Sequence, residues 1–428
     1  MRGTAGTRLA TRVRPLRGLL LLGLFALPWG SIALARDHDR APPLAAPAGA
    51  VVEVATEAEL QAAVRGIRSD TTIVIAPGTY ELTRTLAIGS DPAGPRLANV
   101  AIRGATANPA DVVLAGKGMR NKDHGAVPHG IHVGNVDGIL IANLTIGDVY
   151  YHAIQLAGEM GCRAPRVYNC RLIDSGEQLI KGSVAEPGKG VESGVVEYSR
   201  FEYTTTARGS YTNGVDILGG SGWVVRHNLF RRIVAPRDAG LAGPAVLFWR
   251  KSRDTIVEGN RFIDCAWGIA LGLDPATPGD HSGGVVRNNF VARSAATPGD
   301  VGIAVFNSPR TKVLHNTVLL NGTYANAIEY RFAATTGVEI RYNLCDAAIR
   351  ARDGSSGTVT RNAMTAQPAF FVDPAAGDLH IKRTAPYVID WASPHPDVTD
   401  DFDGDPRPRG TAPDLGADEL DEESPPPR

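Results

Sequence analysis

Residues 223–230 read WVVRHNLF, residues 254–262 read DTIVEGNRF and residues 337–344 read GVEIRYNL. Each stretch alternates apolar and polar residues before an Asn, which predicts a short β-strand followed by a turn. On both sides of these stretches, the form V-x-x-N-x-F recurs along most of the chain. The Asn position of successive copies falls at Leu144, Cys170, Ser199, Asn228, Asn260, Asn288, Asn316, Asn343 and Asn362.

The spacing of these copies indicates the architecture. The steps are 26 to 32 residues long, and the last one is 19. A repeat of this length holds two or three short strands with their turns, and fixed self-similarity in this range is typical of a solenoid. We therefore predict a β-solenoid, in which the repeated Asn side chains point inward and form a ladder of hydrogen bonds.

The first 35 residues have the features of a secretory signal peptide. Five arginines between Arg2 and Arg17 precede the apolar run Leu19 to Leu27, and Ala33-Leu34-Ala35 resembles a cleavage site. We expect a mature chain from Arg36 that is secreted or periplasmic. Residues 36–50 are rich in Ala and Pro and are predicted to be a disordered lead-in.

The repeat region is flanked by two different segments. Apolar residues at helical spacing within residues 54–67 predict a short capping helix, with Thr56 as its N-cap and Glu59 three residues later. Residues 51–369 are assigned to the solenoid as a single domain. We predict that residues 370–419 wrap the last coil and that residues 420–428 form an acidic, Pro-rich disordered tail.

Charge and cysteine content restrict the partners. The chain has 44 basic and 45 acidic residues, and five of the basic residues lie in the leader. The acidic mature chain argues against nucleic acid or an anionic membrane as partner, and we expect a monomer. Cys162 and Cys170 are close enough in sequence to form a disulfide, whereas Cys265 and Cys345 are expected to be buried thiols.

A second strand in each coil has the form small, aliphatic, variable, aliphatic, variable. Successive side chains of a strand point to opposite faces, so the variable positions are predicted to form two outward rows. The first row reads Gln155, Lys181, Asp216, Leu247, Ala270, Ala304, Glu329 and Arg350. The second row reads Ala157, Ser183, Leu218, Trp249, Gly272, Phe306, Arg331 and Arg352.

These rows predict a sugar-binding face. Exposed aromatic rings such as Trp249 and Phe306 stack on sugars, and neighbouring charges hold hydroxyl or carboxylate groups. The alternative is that a loop covers both rings and that the charges only keep the sheet soluble.

The flanking segments carry a resemblance to a known superfamily. The stretch VATEAELQAAV (54–64) with TTIVIAPGTYEL (71–82) resembles the amino-terminal cap of the pectate-lyase-like, right-handed parallel β-helix proteins. Residues 371–394 and 401–419 resemble the carboxyl-terminal trailer of secreted bacterial members. The resemblance spans nearly all of residues 51–419 and implies an all-β, right-handed parallel β-helix, but many activities share this scaffold.

The candidate chemistry separates lyases from hydrolases. A glycosidase needs two carboxyl groups ~5–10 Å apart, whereas Asp216 and Glu329 are predicted to lie four coils apart, roughly 19 Å. Acids in loops could replace them in a hydrolase or epimerase; the candidates are Asp148, Glu177, Asp238 and Asp254. A polysaccharide lyase needs a base and a cation that neutralises a uronate carboxylate, and the outward rows offer both.

The chain is also similar to the alginate and chondroitin lyase branch. NGVDILGG (213–220) and FWRKSRD (248–254) resemble its N-G and K-S segments. The resemblance implies a catalytic Lys at Lys251 and a calcium-binding Asn at Asn213. The two Glu expected as further Ca²⁺ ligands are replaced by Pro244 and Val246, and Ala270 stands where an Arg is expected.

Two further motifs concern metals. His124, His129 and His132 cluster in a Gly-rich loop without the spacing of a tight metal site. DDFDGD (400–405) resembles the start of a calcium loop but lacks its twelfth-position Glu. The sequence assigns no metal ligand, and Ca²⁺ is the one cofactor that these motifs suggest.

We therefore predict a polysaccharide lyase-like enzyme that acts on a uronate-containing glycan. The base is assigned to Lys181 or His152, with Asp216 orienting Lys181, while Arg331 and Arg350 neutralise carboxylates. Further contacts to the polysaccharide are assigned to Gln155, Trp249, Lys251, Phe306 and Glu329. A non-catalytic carbohydrate-binding or surface-adhesion protein, and a hydrolase or epimerase, remain alternatives.

Overall fold

The computed structural model describes residues 41–420. The chain divides into two units, Met1–Asp37 and His38–Arg428, and the described residues belong to the second. The predicted signal peptide and residues 421–428 lie outside the described residues.

The chain forms a right-handed parallel β-helix, as predicted, in which the coils contribute strands to three parallel sheets. Sheet 1 consists of Ala50–Val54, Thr71–Ile75, Leu97–Gly104, Val136–Ala142, Arg163–Tyr168, Val195–Glu197, Val224–Arg226, Ile256–Glu258, Val285–Arg287, Lys312–Leu314, Val338–Arg341 and Gly357–Thr360. Sheet 2 consists of Gly78–Glu81, Val112–Ala115, Thr145–Gly147, Arg171–Ile173, Arg200–Glu202, Leu229–Arg231, Arg261–Ile263, Phe290–Ala292, Thr317–Leu319 and Leu344–Cys345. Sheet 3 consists of Leu86–Ile88, Ile131–Val133, Ile154–Ala157, Ile180–Ser183, Val215–Leu218, Pro244–Trp249, Trp267–Leu271, Ile303–Phe306, Asn326–Arg331 and Ala348–Arg352.

The remaining elements are short. They are the α-helix Glu57–Arg65, the 3-10 helices Gly158–Met160, Pro368–Phe370 and Pro374–Ala376, and two small two-stranded sheets, Ser252–Arg253 with His281–Ser282 and Phe371–Asp373 with Asp378–Ile381.

The core lies inside the three sheets, where the same position of successive coils carries the same kind of side chain. Phe201, Phe230 and Phe262 stack in consecutive coils, with ring centroids 4.6 and 4.8 Å apart. All three are fully buried. This stacking follows from the repeat, because neighbouring strands ~4.8 Å apart place equivalent residues in van der Waals contact.

The predicted Asn ladder is present, with one position corrected. The backbone N–H of Asn228 donates to Oδ1 of Asn260, and that of Asn260 donates to Oδ1 of Asn289, at 3.0 Å each. The ladder then continues through Asn316, Asn343 and Asn362. Assigning Asn288 to this column was wrong by one residue, because two Asn follow each other in this coil.

Asn288 instead lies outside the ladder. Its backbone is left-handed, with φ of 53°, and its amide donates to the carbonyl of Asp400. This is a conformation that Asn tolerates better than most residues.

The N-terminal helix covers the first coil as predicted. Thr56 accepts a hydrogen bond from the N–H of Glu59, whose carboxylate accepts from the N–H of Thr56, and this forms a complete capping box. Leu60 and Val64 point into the core. Residues 41–50 contact sheet 1: the carbonyls of Pro42 and Ala45 accept hydrogen bonds from Tyr168 and Arg103, and Ala50 begins the first strand.

The C-terminal segment packs along the side of the stack. Phe371, Leu379, Phe402 and Leu415 form a buried cluster with outward residues of sheet 2, including Phe290. The segment thus covers several late coils laterally. At the end of the stack itself, strands Ala348–Arg352 and Gly357–Thr360 remain half-buried or exposed.

Cys162 and Cys170, whose disulfide state the sequence leaves open, are both free, buried thiols. Cys170 takes a ladder position, where its N–H donates to Oγ of Ser199. Cys265 and Cys345 are buried as expected. None of the described helices has the length and apolar character needed to span a membrane.

Candidate functional site

The outward row of sheet 3 has the predicted register. Gln155 pairs with Lys181, Lys181 with Asp216, and Asp216 with Leu247. The row continues through Ala270, Ala304, Glu329 and Arg350. At its N-terminal end, His132 pairs with Gln155.

The middle of this row is closed by an apolar cover. Leu247, Ala270 and Ala304 are buried and form a cluster with Val301 and Phe306. The partly buried residues packed on it are Trp249, Trp267, Leu273, Tyr324 and Phe332. The predicted face is therefore interrupted, because loops fold over these coils.

Phe306 belongs to this cover and is 5% exposed. Its ring contacts Trp267 and Phe332 at centroid distances of 6.3 and 5.7 Å. The prediction that Phe306 is an exposed sugar-stacking residue is wrong, because neighbouring aromatic side chains occupy its surface. Trp249 is only partly buried, at the edge of the cover.

A buried ion pair lies next to the cover. Nζ of Lys181 is 2.5 Å from Oδ2 of Asp216, and Nε1 of Trp249 donates to the other carboxylate oxygen at 2.9 Å. Burial acts to lower the pKa of Lys181, but the charge of Asp216 more than offsets it and raises this pKa above its usual value. Lys181 is therefore held as an ammonium ion, which does not suit it as a base.

Tyr211 completes the surroundings of Lys181. Its hydroxyl accepts a hydrogen bond from Lys181 at 3.2 Å, and its side chain is exposed. An ammonium group has three donors, and two are used by Asp216 and Tyr211. The third is available for an acceptor on a ligand.

His152 lies in the neighbouring coil and has the opposite character. It is 8% exposed, and its Nδ1 has no hydrogen-bond partner. Burial holds the pKa of His152 well below its usual value, and the nearby His129 and Lys181 lower it further. The imidazole is neutral at physiological pH and retains an unused nitrogen.

Glu177 lies next to His152 and forms an ion pair with Arg208. Arg208 donates to Glu177 at 2.9 Å and stacks on the ring of Tyr150. Oε2 of Glu177 is 3.9 Å from Nε2 of His152. Burial raises the pKa of Glu177 despite the opposing charge of Arg208. The sequence indicates Glu177 as one of the candidate loop acids, whereas it carries no signal for Arg208, because the loop of Arg208 does not follow the repeat.

Gln155 borders the site, but its side-chain amide is hydrogen-bonded to a neighbouring residue. Its amide donates to Oγ of Ser183 at 2.8 Å, and Ser183 donates to Glu159 at 2.6 Å. The loop histidines also come close: His129 stacks on His152 with centroids 5.1 Å apart. Burial, with its neighbouring histidines, lowers the pKa of His129 to about 4.

The other predicted site residues lie far from Lys181. Glu329 is five coils away, roughly 24 Å at the spacing of parallel strands, and its carboxylate is buried against Arg352 and Asn326. Arg331 pairs with Asp353, and Arg350 is exposed one coil further on. Arg331 and Arg350 therefore cannot share a sugar unit with Lys181.

The residues in place of the calcium ligands do not fit this ion. The Asn213 amide donates to the carbonyl of Pro244 at 2.8 Å, and its oxygen accepts from Gln178. Pro244 and Val246 supply no carboxylate. Lys251 turns to the carbonyl of Pro278. Across residues 41–420, the ligand groups close enough to hold a metal are those of the C-terminal segment, His380, Asp401, Asp403, Asp405 and Asp418.

The comparisons with known proteins agree with the fold. No protein-family model and no curated protein sequence matches the chain. Among solved structures, pectate lyase Pel9A is similar over 84% of this chain and 90% of its own, with a TM-score of 0.52 and 13% identity. A structure titled "Glycoside hydrolase" is similar over 78% of this chain and 99% of its own, with a TM-score of 0.55 and 10% identity.

These likenesses show the fold alone. The chain has the architecture of the pectate-lyase-like, right-handed parallel β-helix proteins, as the resemblance of its flanking segments predicted.

Proposed function

We propose that the protein is a carbohydrate-active β-helix enzyme of the polysaccharide lyase type, acting on a uronate-containing glycan. One observation carries this proposal: a neutral His152 lies in the coil next to a Lys181 that Asp216 keeps protonated, close enough for the charge of Lys181 to lower the pKa of His152. A base and a fixed cation in adjacent coils are the two groups that β-elimination requires.

In this proposal, the imidazole of His152 removes the proton at C5 of a uronate. The electrons of the C–H bond form the C4=C5 double bond, and the bond from C4 to the glycosidic oxygen breaks. The hydroxyl of Tyr211 donates a proton to the leaving oxygen and regains one from solvent, which its exposure permits. Proton transfer by positioned side chains contributes typically ~10²–10⁴-fold to the rate.

The cations oppose the charge that develops on the uronate carboxylate. Lys181 offers its third N–H, and the guanidinium of Arg208 is held by Glu177 near His152. Asp216 keeps Lys181 charged and oriented. Trp249 is partly exposed at the edge of the apolar cover, with the Arg250 guanidinium over its ring 5.1 Å from the centroid, and we assign this edge to a contact with a sugar. The cover limits the glycan to the coils on the N-terminal side of Trp249.

A hydrolase is the second candidate. Burial raises the pKa of Glu177, which is the property expected of a general acid. Asp216 does not suit the partner role, because Lys181 and Trp249 occupy its oxygens.

The test is the ultraviolet absorbance of unsaturated products. Protein beginning at Arg36 is incubated with pectate, alginate, glycosaminoglycans and bacterial exopolysaccharides, with and without Ca²⁺. We expect absorbance that His152→Ala and Lys181→Ala abolish and that Arg361→Ala, on an exposed turn at the far end, leaves unchanged.

Two results would contradict the lyase proposal. Release of reducing ends without ultraviolet absorbance would identify a hydrolase if Glu177→Gln abolishes that release. A negative result in both assays would favour a binding protein. Because the pKa of His152 is lowered, we also expect the acid limb of the pH–rate profile to lie below pH 6.5, the ordinary value for imidazole.

A further inference from the structure

Two aromatic side chains stand out on the C-terminal segment, away from sheet 3. Tyr387 is 73% exposed and Trp391 is 55% exposed. Their ring centroids are 5.5 Å apart, and the rings are nearly perpendicular, at 89°. Large aromatic side chains are seldom left this exposed without a partner.

The backbone beneath this pair is strained and held in place. Tyr387 has a left-handed backbone with φ of 56°, and Asp390 has φ of 61°. A positive φ is a true outlier for a bulky residue such as Tyr. The same conformation occurs at Tyr198 and Tyr342 in the coils, so it defines the shape of this turn without itself marking a site.

Hydrogen bonds on both sides fix this turn. The carbonyl of Val388 accepts from the N–H of Leu415, and the N–H of Ala392 donates to the carbonyl of Pro413. Asp390 joins the same loop, because its N–H donates to Asp414 and its carboxylate accepts from the N–H of Ala412. Val388 is buried in the cluster that anchors the segment to sheet 2. The two rings are thus presented on a rigid support.

The size of the patch indicates what it binds. A stable protein–protein interface buries roughly 800 Å² on each partner, and two aromatic side chains supply only a fraction of that. The exposed residues beside the pair are mixed in character: Arg383 and Thr384 precede it, and Pro394 and Pro396 follow it. A patch of this size matches one sugar ring, whose C–H face packs on an aromatic ring while its hydroxyls stay hydrated.

We propose that Tyr387 and Trp391 form a second carbohydrate-binding site, which holds a pyranose unit by stacking. This site is separate from the one around His152 and Lys181. Its ligand is a pyranose-containing polysaccharide. That this polymer is also the enzyme's own substrate rests on the proposed function.

The experiment is affinity electrophoresis in native gels that contain pectate, alginate or hyaluronan, with hydroxyethylcellulose as a neutral polymer. The protein begins at Arg36 and carries His152→Ala, so that the polymer is not cleaved. Loss of one stacking contact is expected to raise Kd roughly three- to tenfold in Trp391→Ala and in Tyr387→Ala. Val372→Ala, which removes an exposed aliphatic side chain from the same segment, is expected to leave Kd unchanged.

Trp391→Phe, which retains a ring, is expected to recover most of the affinity, and unchanged melting temperatures show that the variants fold. Equal retardation of Trp391→Ala and Val372→Ala, or no retardation by any polymer, would overturn the proposal. So would sedimentation showing that Trp391→Ala abolishes a dimer, because the pair would then join two copies of the chain. The assay does not depend on turnover, so a failed lyase assay leaves this result interpretable.

Discussion

The ammonium group of Lys181 and the carboxylate of Asp216 are 2.5 Å apart on adjacent strands, and both are buried. Removal of one partner from a buried pair leaves an uncompensated charge and costs ~3–5 kcal/mol. We therefore expect Asp216→Asn to lower the free energy of unfolding by about this amount, measured by urea denaturation at neutral pH.

The matched control for this prediction is the half-exposed pair of Lys312 and Asp397. Such surface pairs contribute roughly 0–1 kcal/mol, so Asp397→Asn should change little. Equal losses in the two variants would mean that the pair at Lys181 is no more important than a surface ion pair.

His281 predicts a pH dependence of stability. It is fully buried, its ring nitrogens lie within hydrogen-bond distance of Ser308 and Thr255, and burial lowers its pKa to about 3. Below an unfolded-state pKa of ~6.5 the unfolded chain binds a proton that the folded chain does not, so stability falls with falling pH.

We expect this single group to cost about 2 kcal/mol at pH ~5 relative to pH ~7. His281→Gln should lose correspondingly less stability than the unchanged protein over that range, as measured by denaturation at each pH. Parallel curves for the two proteins would show that His281 titrates normally in the fold.

The Asn ladder predicts a contrast between two adjacent residues. Asn289 accepts from the backbone and side chain of Asn260 and donates to Val257 and Asn316, so Asn289→Ala should destabilise the fold by about 3 kcal/mol. Asn288→Gly should change stability by less than about 1 kcal/mol, because glycine favours its positive φ. Thermal and urea unfolding would distinguish the two variants. A greater loss of stability in Asn288→Gly would mean that Asn288, and not Asn289, occupies the ladder.

The four cysteines should behave as inert thiols. Burial raises the pKa values of Cys162, Cys170 and Cys265 to about 12, and a neutral thiol reacts slowly with disulfide reagents. We expect no reaction with Ellman's reagent in the folded protein and four thiols in urea. Two missing thiols in urea would instead indicate a disulfide.

Periodic features of this molecule were predictable from its sequence, whereas features of its loops were not. The register of the outward row from Gln155 to Arg350 followed from the repeat, because one-residue slips would expose the aliphatic positions. The capping box at Thr56 was also predictable, since it is local. The ladder position in this coil was not predictable, because Asn288 and Asn289 are adjacent and either could occupy the Asn position of the motif.

The candidate site was only half predictable, for a physical reason. Lys181, Asp216 and His152 come together because adjacent strands bring them together. The apolar cover over Phe306, and the position of Arg208 against Glu177, depend on loops of irregular length that carry no period. Arg331 and Arg350 were grouped with Lys181 by charge, although the stack places them five and six coils away.

The two ends of the stack differ in a way that bears on fibre formation. Every coil is a template for another, so an uncovered terminal strand can act as a growth point for open-ended polymerisation. At one end, the helix Glu57–Arg65 covers the core with Leu60 and Val64. At the other end, strand Ala348–Arg352 is partly open and carries Arg350, an exposed charge that discourages pairing with a further strand. The helix that covers the core at one end and the exposed charge of Arg350 at the other both oppose assembly of this solenoid into filaments.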